Sequence, residues 1–165
     1  MAGVLCAAQL TAQGIDNVLL EARQVGEGIT KGTTAALTAQ HDTLYRDIAK
    51  RYGMERAQQY LRANLDALAQ FRALAQHIDC ALETRPSIMY SLTGQDHLRE
   101  EAELLHALGF DAEYTTNPQL PLPVADAVIY PDMAQFHPLQ FLNAMTKGLR
   151  IYDFPAFNEG LSERM

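Results

Sequence analysis

The sequence is short of three things: cysteine, clustered positive charge and long apolar runs. Its 165 residues include 2 Cys, and 13 Lys and Arg stand against 20 Asp and Glu, for a net charge of −7. The two cysteines, Cys6 and Cys80, sit at neither metal-ligand nor redox spacing and read as reduced, buried thiols. An acidic balance without any basic run argues against binding nucleic acid or an anionic membrane surface, since both require clustered positive charge. No apolar stretch approaches the roughly 20 residues of a membrane span, and no basic region precedes an apolar one at the N-terminus. A cytoplasmic location is therefore expected. With 48% hydrophobic residues, the chain can fill one domain-sized core.

What is present is a succession of helices and short strands. The opening MAGVLCAAQLTAQGIDNVLLEA predicts a close-packed helix of small apolar residues from Ala2 to Leu10, with Gly14 at its C-terminal cap. A short buried strand from Asn17 to Leu20 follows and ends in Glu21. The Gly-, Thr- and Ala-rich segment after it reads as a loop entering a short helix near Thr33. From Thr43 into the seventies the pattern is helical, in two pieces broken at Gly53. In the second, Ala57, Leu61, Leu65, Leu68, Phe71 and Ala75 share one face. Around Pro86, Ile88, Tyr90 and Leu92 alternate with Met89 and Ser91, as in an edge strand. Leu98, Ala102, Leu105 and Leu108 mark another helix, closed by Gly109. An extended connection from Tyr114 to Pro123 leads to a strand in VADAVIYP, and then to a helix whose first turn holds Pro138. The tail from Arg150 starts as a strand and loses periodicity at Pro155.

In a dinucleotide-binding βαβ unit the helix N-terminus meets the pyrophosphate, and a carboxylate at the end of the second strand, about 20 residues on, accepts hydrogen bonds from the ribose. Gly3 and Glu21 have that relation, which also arises where no ligand binds. Gly32, Thr33, Thr34, Ala35 and Ala36, with Gln40 and His41 after them, offer hydroxyls, accessible amides and little bulk. A phosphate or flat ring can approach such a backbone. A helix start capped by Thr33 or Thr34 is the plainer alternative.

The segments GITKGTTAALTAQHDTLY, LLEA before it, IDCALETRPSIMY and YPDMAQFHPLQFLNAMTKGL resemble the FAD-dependent oxidoreductases of the D-amino-acid and glycine oxidase type. Within that family the resemblance is to the branch that often carries a C-terminal Rieske iron–sulfur domain, and it extends to about Tyr152. It implies a mixed α/β (α+β) chain: a partial Rossmann-like FAD-binding domain with part of an antiparallel substrate-domain sheet. The expected segments are 1–80 for the partial FAD domain, 81–136 for the substrate or cap domain, and 137–165 for a return helix and divergent tail. Glu21 matches the ribose carboxylate, and Lys31 through Gln40 match the flavin loop. The cofactor-binding set implied is Gly3, Glu21, Ala22, Lys31, Gly32, Thr33, Thr34, Ala35, Ala36, Thr38, Gln40 and His41. No catalytic residue and no metal ligand is assigned. FAD is the implied cofactor, and a Rieske cluster belongs only to a longer parent.

Family members precede this helix with a strand and a G-x-G-x-x-G turn, of which Met1-Ala2-Gly3 match only the last three positions. The sequence is thus expected to be an incomplete copy. In isolation it should be colourless and without oxidase turnover, with self-association through unpaired strand edges left open. Two other readings stand beside this one: a non-enzymatic helical interaction module from Thr43 to Leu108, and a small-molecule-binding domain completed by a partner chain. His77-x-x-Cys80 lacks a second ligand pair, and Glu100, Glu101 and Glu103 between His97 and His106 read as a solvated charged face. His137 reads as a helix-entry residue, and His41 is the histidine nearest the implied flavin loop.

Overall fold

The computed structural model describes residues 1–153. In chain order the elements are α1 (Ala2–Ala12), β1 (Leu19–Glu21), a 3-10 turn (Ile29–Gly32), β2 (Ala36–Leu37), α2 (Leu44–Tyr52), α3 (Met54–Ala75), β3 (Glu83–Thr84), β4 (Ser87–Ser91), α4 (Leu98–Ala107), β5 (Glu113–Thr115), β6 (Asp126–Tyr130), β7 (Ala134–Gln135), α5 (Pro138–Met145) and β8 (Ile151–Asp153). Both the periodicity break expected at Pro155 and residues 154–165 lie outside the described residues. The fold is mixed helix and sheet, as the sequence implies.

Two compact units divide the chain. The first holds Met1–Ala35, His77–Ala81 and the segment from Phe136 onward; the second holds Ala36–Gln76 and Leu82–Gln135. The chain leaves and re-enters each unit.

In the first unit β1 and β8 pair in parallel, Leu19 opposite Ile151 and Leu20 opposite Tyr152. The strand expected at Asn17–Leu20 begins two residues later, at Leu19, and has β8 along one edge. Val4 and Ala7 of α1, Phe141 and Leu142 of α5, and Cys80 form its buried core. Cys6, by contrast, is exposed, against the expectation of two buried thiols. Helix α1 ends at Ala12 with Gln13 as its cap, and Gly14 follows in the left-handed region at φ 72°. Pro138 stands at the start of α5, where its missing N–H costs nothing, and His137 caps the helix by accepting the Gln140 N–H on Nδ1 at 3.3 Å.

The second unit is larger. Its antiparallel sheet runs β4-β6-β5, with Met89 opposite Val128 and Tyr114 opposite the same residue. Strand β6 is central, and all of it except Ile129 is buried. On β4 the alternation holds, but Met89 and Ser91 face inward while Tyr90 is exposed. Helix α4 lays Leu98, Ala102, Leu105 and Leu108 against this sheet, and Ala57 and Leu61 of α3 join the same core. Gly109 closes α4 at φ 88°, donating to the His106 carbonyl at 2.9 Å. Gly53, at φ 90°, separates α2 from α3. A second small sheet, β2-β7-β3, pairs Ala36 with Gln135 and Glu83 with Gln135. Strand β4, inside the Thr43–Leu108 region, pairs along its whole length with β6, which lies beyond that region.

Candidate functional site

Strand β1 ends at Glu21, with α1 packed beside it. The packing is close at Gly3: a Cβ there would stand 3.2 Å from Cδ1 of Leu19, nearer than most side chains approach. Glycine at this point of a nucleotide-binding helix serves close helix–strand packing. Glu21 is half-buried, and its Oε1 accepts the Arg23 N–H at 2.9 Å. That bond holds the carboxyl at the end of the strand. Ala22, also half-buried, begins the following loop.

The loop turns sharply at Gly26, where φ is 84° and a Cβ would come within 2.7 Å of Leu139 Cδ2 on α5. Only glycine fits there. Lys31 and Gly32, both exposed, lie in the 3-10 turn, and Thr33 follows as its cap. The Thr33 hydroxyl donates to the Thr30 carbonyl at 3.0 Å. Thr34 is exposed, and Ala35 adopts a left-handed φ of 58° while its carbonyl accepts the Phe136 N–H at 3.3 Å. The short helix expected to start near Thr33 does not form. Helical turn precedes that residue, and the chain then extends into β2, because Ala36 and Leu37 pair with β7 and so draw the backbone into a strand.

Between Ala35 and Ala36 the chain passes from the first unit to the second, so the remaining residues take their geometry from the second unit alone. Ala36 is exposed on β2. The Thr38 hydroxyl accepts the Gln40 N–H at 2.9 Å. Ala39 between them is fully buried and pinned on both sides: its N–H meets Met133 Sδ at 3.2 Å, and its carbonyl accepts the Tyr45 hydroxyl at 2.5 Å. His41 is half-buried, with Nε2 3.1 Å from Asn64 Oδ1 and its ring tilted against that of Tyr60. Asn64 gives its amide N–H to the Tyr60 carbonyl at 2.8 Å, which turns its oxygen to His41. The Asn64 oxygen can only accept, so His41 donates to it from Nε2.

The other polar candidates separate. His77 is exposed and Cys80 buried, so they form no ligand pair. Among the described residues no group of three or more His, Cys, Asp or Glu could hold a metal ion. His97 Nδ1 lies 2.9 Å from Glu100 Oε1, and that contact holds the Glu100 carboxyl below its ordinary range. Glu101 breaks from the solvated face assigned to it. It is fully buried, and neither of its carboxyl oxygens has a hydrogen-bond partner, nor does the buried Tyr130 hydroxyl. Burial pushes its carboxyl up to about 7; the amides of Arg46 and Tyr45 and the Arg46 charge lie near enough to offset this only in part. The signal was in the spacing: Glu101 falls three after Leu98 and four before Leu105, on the apolar face of α4.

The comparisons with known proteins bear on nearly all of these residues. The profile of a family described as FAD dependent oxidoreductase matches residues 1–151. A Bacillus subtilis (strain 168) protein named as a Rieske 2Fe-2S iron-sulfur protein, YhfW, is 33% identical over 160 residues, which are 92% of this chain and 31% of that protein. Among solved structures, glycine oxidase from Geobacillus kaustophilus superposes with a TM-score of 0.71 at 19% identity, over 92% of this chain and 44% of that one. L-Proline dehydrogenase from P. horikoshii gives 0.70 at 14% identity, over 91% and 40%. At such identities these two structures speak for the fold. The chain spans about a third of the length of the curated relative and under half that of either structure.

Proposed function

Because the chain belongs to the family of FAD-dependent oxidoreductases, we propose that its first unit holds the adenosine side of FAD and that the whole protein uses the flavin to oxidise an amine or amino acid. The observation that carries this reading is the pairing of Gly3 with Leu19 beneath a half-buried carboxylate, Glu21, at the end of a parallel strand. That is the local form an adenine dinucleotide requires. The residues fit the group: one oxygen of Glu21 takes the Arg23 amide, and the carboxylate keeps acceptor sites for ribose hydroxyls.

In this reading Lys31 to Ala35 pass the pyrophosphate, where Thr34 supplies a hydroxyl donor and Gly32 leaves the backbone open, with nothing within 4 Å of an added Cβ. Ala22 bounds the adenosine site. The resemblance adds Ala36, Thr38, Gln40 and His41, which belong to the second unit, to the flavin-binding set, and there Asn64 Oδ1 stands 3.1 Å from His41 Nε2. When bound, FAD supplies the two-electron acceptor; the protein's part is to bind, orient and exclude water. The β4-β6-β5 sheet is assigned to the substrate side. Glycine oxidase and L-proline dehydrogenase, by their names, act on amino acids, which supports an amino acid or amine as substrate class. An iron–sulfur domain, as the name of the Bacillus subtilis relative implies for that protein, would have to be sought in a longer form. The cytoplasm is proposed as compartment, since an exposed thiol such as Cys6 persists where thiols are kept reduced.

The test is a flavin titration of wild-type protein and Glu21→Ala. Charge-assisted hydrogen bonds to the ribose contribute about 1.5–3 kcal/mol, so the substitution should weaken FAD affinity roughly ten- to a hundredfold. Equal affinities would remove Glu21 from the site.

A further inference from the structure

Helix α2 starts three residues after His41, and its N-cap residue, Thr43, makes no side-chain capping bond. The first-turn amides of a helix need an acceptor. Those of Tyr45 and Arg46 act on the buried carboxyl of Glu101 on α4 without making a hydrogen bond to it. Tyr45 in turn is fully buried and spends its hydroxyl on the Ala39 carbonyl, in the middle of the Thr38–His41 loop. A chain of contacts thus leads from one buried carboxyl, through α2, to the loop.

We propose that Glu101 is a positioning residue whose protonation state sets the Thr38–His41 loop: neutral, it leaves Tyr45 bonded to Ala39; ionised, it draws donors toward itself and loosens the loop. The link to cofactor binding rests on the reading of that loop as the flavin loop; the switch does not. An ionised carboxylate without a partner in a core is costly, so it recruits whatever donors stand near. Here those are the Tyr130 hydroxyl, which has no partner, the Tyr45 hydroxyl, and the amides of Tyr45 and Arg46. From α2, the Arg46 guanidinium favours the ionised form and Asp47 opposes it. Asp42 before α2 and Glu101 itself both act on Tyr130 of β6, and Tyr60 of α3 acts on Tyr45; each of these pushes its tyrosine further toward the neutral form. On α4, Glu100 is already engaged by His97 and Arg46.

The direction follows from linkage. The Glu101 carboxyl binds its proton more tightly folded than unfolded, so its contribution to stability is full below about pH 4.5 and declines as pH rises toward about 7. The experiment compares melting temperature, and hydrogen exchange at the Ala39 and Gln40 amides, from about pH 5 to about pH 8, in wild-type protein and Glu101→Gln without added flavin. Wild-type protein should lose roughly 5–10 °C across that range, with falling protection at the loop once each rate is divided by the intrinsic exchange rate at that pH, while Glu101→Gln stays flat in both. If Glu101→Gln does not fold, infrared spectroscopy of wild-type protein decides: the band of a protonated carboxyl should fade over the same range. Parallel pH profiles for the two proteins, or a carboxyl ionised throughout, would overturn the proposal. Because no flavin is present, failure here leaves the Glu21 test untouched, and the converse holds.

Discussion

At Thr33 and Thr34 two adjacent hydroxyls have different duties. Thr33 gives its hydrogen to the Thr30 carbonyl and so closes the 3-10 turn, whereas Thr34 is exposed just beyond it. Replacement by Val should therefore act differently at the two sites. Thr34→Val removes a donor to the ligand and should weaken FAD binding several-fold with little effect on stability. Thr33→Val should instead loosen the turn by about 1 kcal/mol. Flavin affinity and chemical denaturation of both variants separate the two effects, and equal loss of affinity with unchanged stability in both would contradict the distinction. At this scale the sequence was informative about residue type and less so about duty. Gly3 read as a member of the cofactor-binding set, and the structure adds that a Cβ there would crowd Leu19. Glu101 read as one of three solvated glutamates; the apolar residues on either side of it, at helical spacing, were the better guide.

Among the elements, the long helix α3 was the most legible. Its stripe of six apolar residues survives in the structure, with Ala57, Leu61 and Ala75 buried and the others half-buried. Leu61 is 1% exposed, while Leu74 on the same helix is 43% exposed. Leu61→Ala should cost about 2–5 kcal/mol through lost burial and an unfilled cavity, and Leu74→Ala within about 0.5 kcal/mol. Urea denaturation of the two variants measures the contrast, and similar losses would place the core elsewhere. Strands β2, β3 and β7 were invisible for a physical reason: each is two residues long and exists only because a partner distant in sequence supplies its hydrogen bonds. Local pattern cannot announce such pairing. The same cause displaced the helix expected near Thr33, since β2 takes those residues into a strand. Strand β4 kept its alternation but presents Met89 and Ser91 to the core, because the pairing with β6 and not the larger side chains decides which face turns inward.

On the scale of the molecule, family membership was carried by sequence segments spread from Leu19 to Leu149, and the fold agrees with them. The first unit is assembled from three stretches of chain that composition does not distinguish. No helix among the described residues is long and apolar enough to cross a membrane. One edge of β1 and one edge of β4 have no strand neighbour among the described residues, and such edges are where further chain can add. The central claim, that Glu21 and the loop from Lys31 hold FAD, is tested most directly by adding FAD to isotopically labelled protein and following each backbone amide by NMR, which detects weak as well as tight binding. The account predicts shifts at Gly3, at Glu21 and Ala22, and from Lys31 through His41, all of them sharply reduced in Glu21→Ala. Shifts confined to other residues, or unchanged by the substitution, would contradict it.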